Sequence, residues 1–373
     1  MEQLVSIPRA NQQSHFLGLD LFRATAILLV MFSHYANNVS FWLQYSPHWR
    51  TFTSGTIGVD LFFVLSGFLV GKLLLDIIEK SPDFENFFIF LVRRWLRTVP
   101  LYYLWLVVLL FMFPKRLDVA WYYVPFMQNF SWPMVGPEYF FSVSWSLTIE
   151  EWFYILFGGA LIGSAVISSR RVAVGCCLLA FLAIPFILRM TYPGFATPGA
   201  GWSQTVVFRL DGIAYGVVMA VLYRRKHWIF LWPKTCLAIG ISAILTQWAG
   251  LLPLSYWATV CFQPIIFAAG AALCLPAALR LPPPPRSIAW AIRTTSNQAY
   301  GLYIIHITIL VDVIQPMWWR QEIPVELAIP AAIIIPFVLS YLSYKYFEAP
   351  ILLRRPSQTF SARGRAAASP VTP

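Results

Sequence analysis

The chain has 373 residues, of which 58% are hydrophobic, 17% aromatic and only 12% charged. Soluble domains carry about 25% charged residues, so this chain lacks the charge to cover a water-facing surface, and its mean hydropathy of +0.65 agrees. A soluble globular enzyme, a disordered chain and a fibrous chain are excluded, and the predicted fold class is an all-α integral membrane protein.

A helix that crosses the hydrocarbon core needs about 20 apolar residues. Ten such runs are predicted, near residues 19–38, 57–75, 98–114, 148–167, 171–190, 205–223, 229–249, 255–279, 297–318 and 325–346. Residues 1–16 read as an N-terminal segment, 17–350 as one transmembrane domain and 351–373 as a polar, mobile tail. The first apolar run is too long for a cleaved signal and has no small-residue cleavage site, so it reads as a retained first span. Pro185, Pro264, Pro330 and Pro336 fall within spans and predict kinks, which neighbouring helices make tolerable. Cys176, Cys177, Cys236, Cys261 and Cys274 all lie in apolar stretches without metal-ligand or disulfide spacing. They read as small core residues, and no metal site is expected.

The net charge of +11 is a topology signal. With the N-terminus inside, twenty of the 27 Lys and Arg fall on the inner side; Arg50, Lys115, Arg116, Arg189 and Arg320 fall outside, and Arg23 and Arg209 within spans. Such an inner excess marks cytoplasmic loops. Both termini are therefore expected in the cytoplasm, with the lipid bilayer rather than nucleic acid as the chain's partner.

An ionisable side chain at membrane depth is costly, which makes it a functional candidate. Arg23 and His34 lie eleven positions apart in the first span. That spacing returns to nearly the same helix face after a rise of about 16 Å. The pair is either a snorkelling arginine with a satisfied histidine or a functional cation and imidazole. Glu150 and Glu151 open the fourth span, Asp60 lies near the outer end of the second, and Arg209 and Asp211 enter the sixth. Arg209 and Asp211 fit either a helix-locking ion pair or a place near His34. A carboxylate such as Glu150 beside His34 would orient it as a general base.

On the inner side, Arg93, Arg94 and Arg97 precede the third span and Lys72 ends the second. They read as a plain anchor or as a phosphate site, since arginine offers a forked donor to polyanions. Coenzyme A, with a phosphorylated head and a long thin arm, fits a head held there and chemistry deeper in, although an anion transporter would also show inner arginines. Gly58 to Phe68 sets small residues among aromatics, a pattern of tight helix packing; Ser66 lies within it without a local base. Trp121, Tyr122, Tyr123, Trp132 and Tyr139 make the outer segment an interfacial belt or a sugar-stacking surface. His306, near Tyr300 and Tyr303, is a satisfied core histidine or a catalytic one.

Taken in order, these motifs resemble the acyltransferase-3 family of bacterial multi-span membrane O-acyltransferases. Arg23 to His34 matches its Arg-x10-His signature, Gly58 to Phe68 its second-helix element, and Arg93, Arg94, Arg97 and Pro100 its basic loop. Trp145 to Tyr154, Arg209-x-Asp211, Tyr300 to His306 and Tyr346 to Pro350 match the later motifs, so the resemblance covers about residues 17–350. It implies a multi-pass protein of the bacterial inner membrane that moves an acyl group from cytoplasmic acyl-CoA. Acetyl-CoA is the expected donor, and the acceptor is a hydroxyl of an extracytoplasmic or lipid-linked glycan.

His34, Arg23 and Glu150 are the expected catalytic residues, with Arg93, Arg94, Arg97 and Lys72 binding the coenzyme. Asp60, Ser66, Arg209, Asp211, Tyr303 and His306 are expected to support them. A covalent acyl-His34 relay is the alternative to direct transfer. A secondary transporter of an anionic metabolite and an acyltransferase for a lipo-oligosaccharide or secondary metabolite are the alternative functions. Many relatives carry a C-terminal hydrolase domain for which the 23-residue tail leaves no room, so transfer is expected to finish in the membrane domain or on a separate partner.

Overall fold

A computed structural model of the chain describes residues 17–45, 49–130, 141–192 and 204–357. The expected N-terminal segment, His15, His48, Trp132, Tyr139 and most of the tail lie outside them. All regular secondary structure among the described residues is helical. The bundle consists of α1 (Leu17–Trp42), α2 (Trp49–Lys80), α3 (Phe84–Met112), the short α4 (Leu117–Tyr123), α5 (Ser144–Ile167) and α6 (Arg170–Thr191). It continues with α7 (Leu210–Arg224), α8 (Pro233–Trp248), α9 (Tyr256–Ala278) and α10 (Arg286–Ile307). Then come a π-helical turn over Thr308–Ile314, α11 (Gln315–Trp319), α12 (Val325–Ser343), a second π-helical turn over Tyr344–Glu348 and α13 (Ala349–Leu353).

Ten spans were expected, and eight helical stretches among the described residues are long and apolar enough to cross a membrane. The two that fall short are α7, with 15 residues, and α8, with 16. At 1.5 Å per residue α7 is about 22 Å long, less than a hydrocarbon core of about 30 Å. Its setting explains the shortness. Leu210 through Ala220 are mostly buried against protein, not lipid, and α7 packs most extensively on α2. Glycine makes this contact possible: a Cβ on Gly67 would come 1.9 Å from the Ile213 carbonyl oxygen, and one on Gly216 would come 2.1 Å from that of Val64.

The third helix also departs from expectation. It starts fourteen residues before the predicted span, where Asp83 caps it by accepting from the Asn86 backbone N–H at 2.7 Å. Arg93, Arg94 and Arg97 therefore stand in the middle of a 29-residue helix instead of in a loop before it. Hydropathy placed the boundary after them because three arginines interrupt the apolar run. The chain past 350 is likewise ordered at its start: α13 runs through Leu353, inside the expected tail. Four cysteines are buried, Cys176 is exposed, and all five are free thiols.

Candidate active site

α1 and α10 lie in register, and two contacts about ten residues apart fix it. Toward the start of α1, which we call the basic end, Arg23 Nη1 donates to Ser296 Oγ at 3.1 Å. Ser296 in turn donates to Asp20 Oδ1 at 2.9 Å, and that oxygen lies 3.7 Å from Arg23 Nη1. Three turns further along, Nδ1 of His34 lies 2.8 Å from Nε2 of His306. The two imidazoles meet edge to edge, with centroids 5.1 Å apart and planes 16° apart. His306 is fully buried and its Nδ1 contacts the Leu302 carbonyl oxygen at 2.7 Å, whereas His34 is half-buried.

Between these two levels lies a cavity of about 500 Å³. Arg23, Lys72, Arg94, Arg97 and Arg355 line it, against only three carboxylates, Asp20, Glu150 and Glu348. Lys72 places its ammonium 5.4 Å from the Tyr223 ring centre. Arg355 has Nε and Nη2 buried without a hydrogen-bond partner. Excess buried cation with unfilled donors is the electrostatic preparation for a polyanion. At the opposite end the walls are Val59, Phe62, Ser146, Leu147 and Tyr303. Tyr303 and Ser146 share a hydroxyl–hydroxyl hydrogen bond of 2.5 Å, and the Tyr303 ring centre is 6.3 Å from that of His306. The cavity thus leads from the cationic cluster to the layer directly beneath the histidine pair.

Glu150 does not meet His34. It lies one helical turn past Ser146, toward the basic end, where it accepts from Tyr154 at 3.1 Å. Tyr154 also shares a 2.5 Å hydrogen bond with Ser66. The expected carboxylate–imidazole pair is replaced by the His34–His306 pair, because the antiparallel course of α5 carries Glu150 away from His34's depth. Glu151 accepts from Thr98 at 2.7 Å, and Tyr300 donates to the Thr98 carbonyl, which ties α5 and α10 to α3.

Arg93 lies apart from the cavity lining. Its guanidinium donates to the Pro356 carbonyl and fastens the segment after α13 to α3. Arg355, which reaches the cavity from that segment, is the residue that sequence reasoning missed; among the basic residues of the tail it carried no distinguishing signal. Asp60, Arg209 and Asp211 also stand away from the cavity lining. Arg209 pairs with Asp60 at 2.6 Å, and Asp211 pairs with Arg189 at 2.5 Å, all four within 1% of complete burial. Arg209 and Asp211 do not pair with each other as expected; each is ion-paired to a residue of another helix. Arg189, expected in the outer set, is wholly buried at the end of α6.

The profile of the acyltransferase-3 family, described as an acyltransferase domain, matches residues 16–345. The chain belongs to this family. Among curated relatives it is 25% identical over 378 residues, 92% of its length, to YrhL of Bacillus subtilis (strain 168), named as a candidate peptidoglycan O-acetyltransferase. It is 23% identical over 385 residues, 90% of its length, to the peptidoglycan O-acetyltransferase OatA of Listeria monocytogenes. These alignments cover 56% and 55% of the relatives, so the chain spans about half their length. No solved structure matches significantly. Membership makes the protein a membrane acyltransferase. Of the family signature residues, Arg23 lines the cavity, whereas His34 lies outside the lining, against His306.

Proposed function

We propose that the chain transfers an acetyl group from cytoplasmic acetyl-CoA to a hydroxyl of an envelope glycan, as a multi-pass protein of the bacterial inner membrane with both termini in the cytoplasm. The observation that carries this reading is the cavity, lined by five cations against three carboxylates and reaching Tyr303, whose ring neighbours His306. Arg94, Arg97, Arg355 and Lys72 hold the phosphates of the coenzyme, and Arg23 flanks the channel along which the pantetheine arm reaches inward. Peptidoglycan, named as the substrate of OatA, is the first acceptor class to test.

The reaction is direct transfer. The acceptor hydroxyl oxygen attacks the thioester carbonyl while His34 takes its proton. The tetrahedral intermediate then collapses, the carbon–sulfur bond breaks, and the departing thiolate receives that proton to leave as coenzyme A. Of Tyr303 and Ser146, hydrogen-bonded to each other at the end of the cavity, the one whose proton is free donates to the developing oxyanion.

Inside-out membrane vesicles given labelled acetyl-CoA test the reading. The parent protein is expected to label envelope glycan, and His34→Ala, at matched amount, to lose about 10²–10⁴-fold of that rate, the usual contribution of a general base. Equal labelling by the two proteins would exclude His34 as the base, and failure of the parent to bind acetyl-CoA would exclude the donor site.

A further inference from the structure

The hydrogen-bond chain through the two histidines has only one direction when both are neutral. A carbonyl oxygen only accepts, so His306 must donate to Leu302 from Nδ1, across 2.7 Å. A neutral imidazole has one N–H, which leaves His306 Nε2 with a lone pair. The atom 2.8 Å from that lone pair is Nδ1 of His34, which must therefore carry the proton. Nε2 of His34 is left bare, and it has no hydrogen-bond partner among the described residues. His306 is completely buried, and its polar contacts are this imidazole and the backbone of Leu302 and Tyr303, none of them a counter-charge.

We propose that His306 is a positioning residue that locks His34 in the Nδ1–H tautomer and so makes Nε2 the proton-accepting nitrogen. In water a histidine side chain favours the opposite tautomer, with its proton on Nε2 and no lone pair there to receive one. The orienting partner sets which ring nitrogen is available, the task a buried carboxylate performs in serine hydrolases. Here a neutral ring held by a main-chain carbonyl performs it. When His34 takes the acceptor's proton, its positive charge is shared through the Nδ1–H bond with His306. The proton stays on His34, because moving it to His306 Nε2 would place a full positive charge on a completely buried ring held by backbone alone. Tyr35, its ring centre 6.4 Å from that of His306 and its hydroxyl donating to the Ala332 carbonyl at 2.5 Å, packs beside the pair.

The catalytic consequence rests on the proposed role of His34, but the tautomer does not, and the two are tested separately. The chain has five histidines, so a variant with His15, His48 and His227 changed to glutamine keeps only His34 and His306. In that protein, labelled with 15N-histidine in lipid bilayers at neutral pH, solid-state NMR is expected to show both rings protonated at Nδ1 and bare at Nε2. Adding His306→Leu is expected to move the remaining ring toward the Nε2–H form. A ring protonated at Nε2 before that change, or a tautomer unaffected by it, would overturn the proposal. In the transfer assay, His306→Leu should lower kcat about 10–100-fold, the usual cost of losing an orienting partner, with KM for acetyl-CoA unchanged. His306→Gln, whose amide oxygen can accept from His34, should recover most of the loss. Full activity in His306→Leu would refute the positioning role while leaving His34 as the base, and a parent without activity would refute the transfer reading while the NMR result still decides the tautomer.

Discussion

The four arginines around the basic end do different work although they look alike in sequence. Arg94 and Arg97 line the cavity, Arg93 spends its guanidinium on the Pro356 carbonyl, and Arg355 arrives from the far end of the chain with two donor atoms unfilled. If the cavity holds the phosphates of coenzyme A, Arg355→Ala removes charge-assisted hydrogen bonds worth about 1.5–3 kcal/mol. Its affinity for coenzyme A, measured by calorimetry, should fall about 10–100-fold. Arg93→Ala should weaken it less, because it loosens the segment without removing a ligand. An equal loss in the two variants would mean that Arg355 acts only through the segment's position.

At the scale of elements, α7 shows how a short helix is held inside a membrane bundle. The glycine contacts bring it onto α2, and two buried ion pairs then tie its first turn to both neighbours, Arg209 to Asp60 of α2 and Asp211 to Arg189 of α6. Buried pairs of this kind add little over apolar replacements, but breaking one leaves a charge uncompensated, at about 3–5 kcal/mol. Asp60→Ala and Arg209→Ala should each lower the melting midpoint in detergent. The double variant Asp60→Leu/Arg209→Met should recover much of the loss. A double variant as unstable as the sum of the singles would show that the two residues do not act as a pair.

For the whole molecule, the cationic end of the cavity should face the cytoplasm, because the coenzyme is made there. Single cysteines placed in a cysteine-free background measure this. Tyr45→Cys, just after α1, should react with an impermeant maleimide from outside intact cells, and Ser81→Cys, between α2 and α3, only after permeabilisation. The reverse pattern would place the arginine cluster outside and end the acyl-CoA reading.

Periodicity and charge count were sufficient for the class of fold, for most helix positions and for the pairing of Arg23 and His34 on one helix face, because these depend on transfer of side chains into lipid and on the 3.6-residue turn. They failed at α3, where three arginines interrupt the apolar run, and at α7, where packing against protein replaces lipid as the environment that must be satisfied; α8 is a shorter helix than its apolar run. The signature residues were recognisable as a set, since ionisable groups at membrane depth stand out against an apolar background. Their partners were not. Whether His34 meets Glu150 or His306, whether Arg209 pairs with Asp211 or Asp60, and whether Arg93 or Arg355 fills the cavity depend on the depth and rotation of helices far apart in the chain. A hydrogen bond acts over about 3 Å, and one helical turn of 5.4 Å is enough to remove a partner. That choice belongs to the assembled bundle.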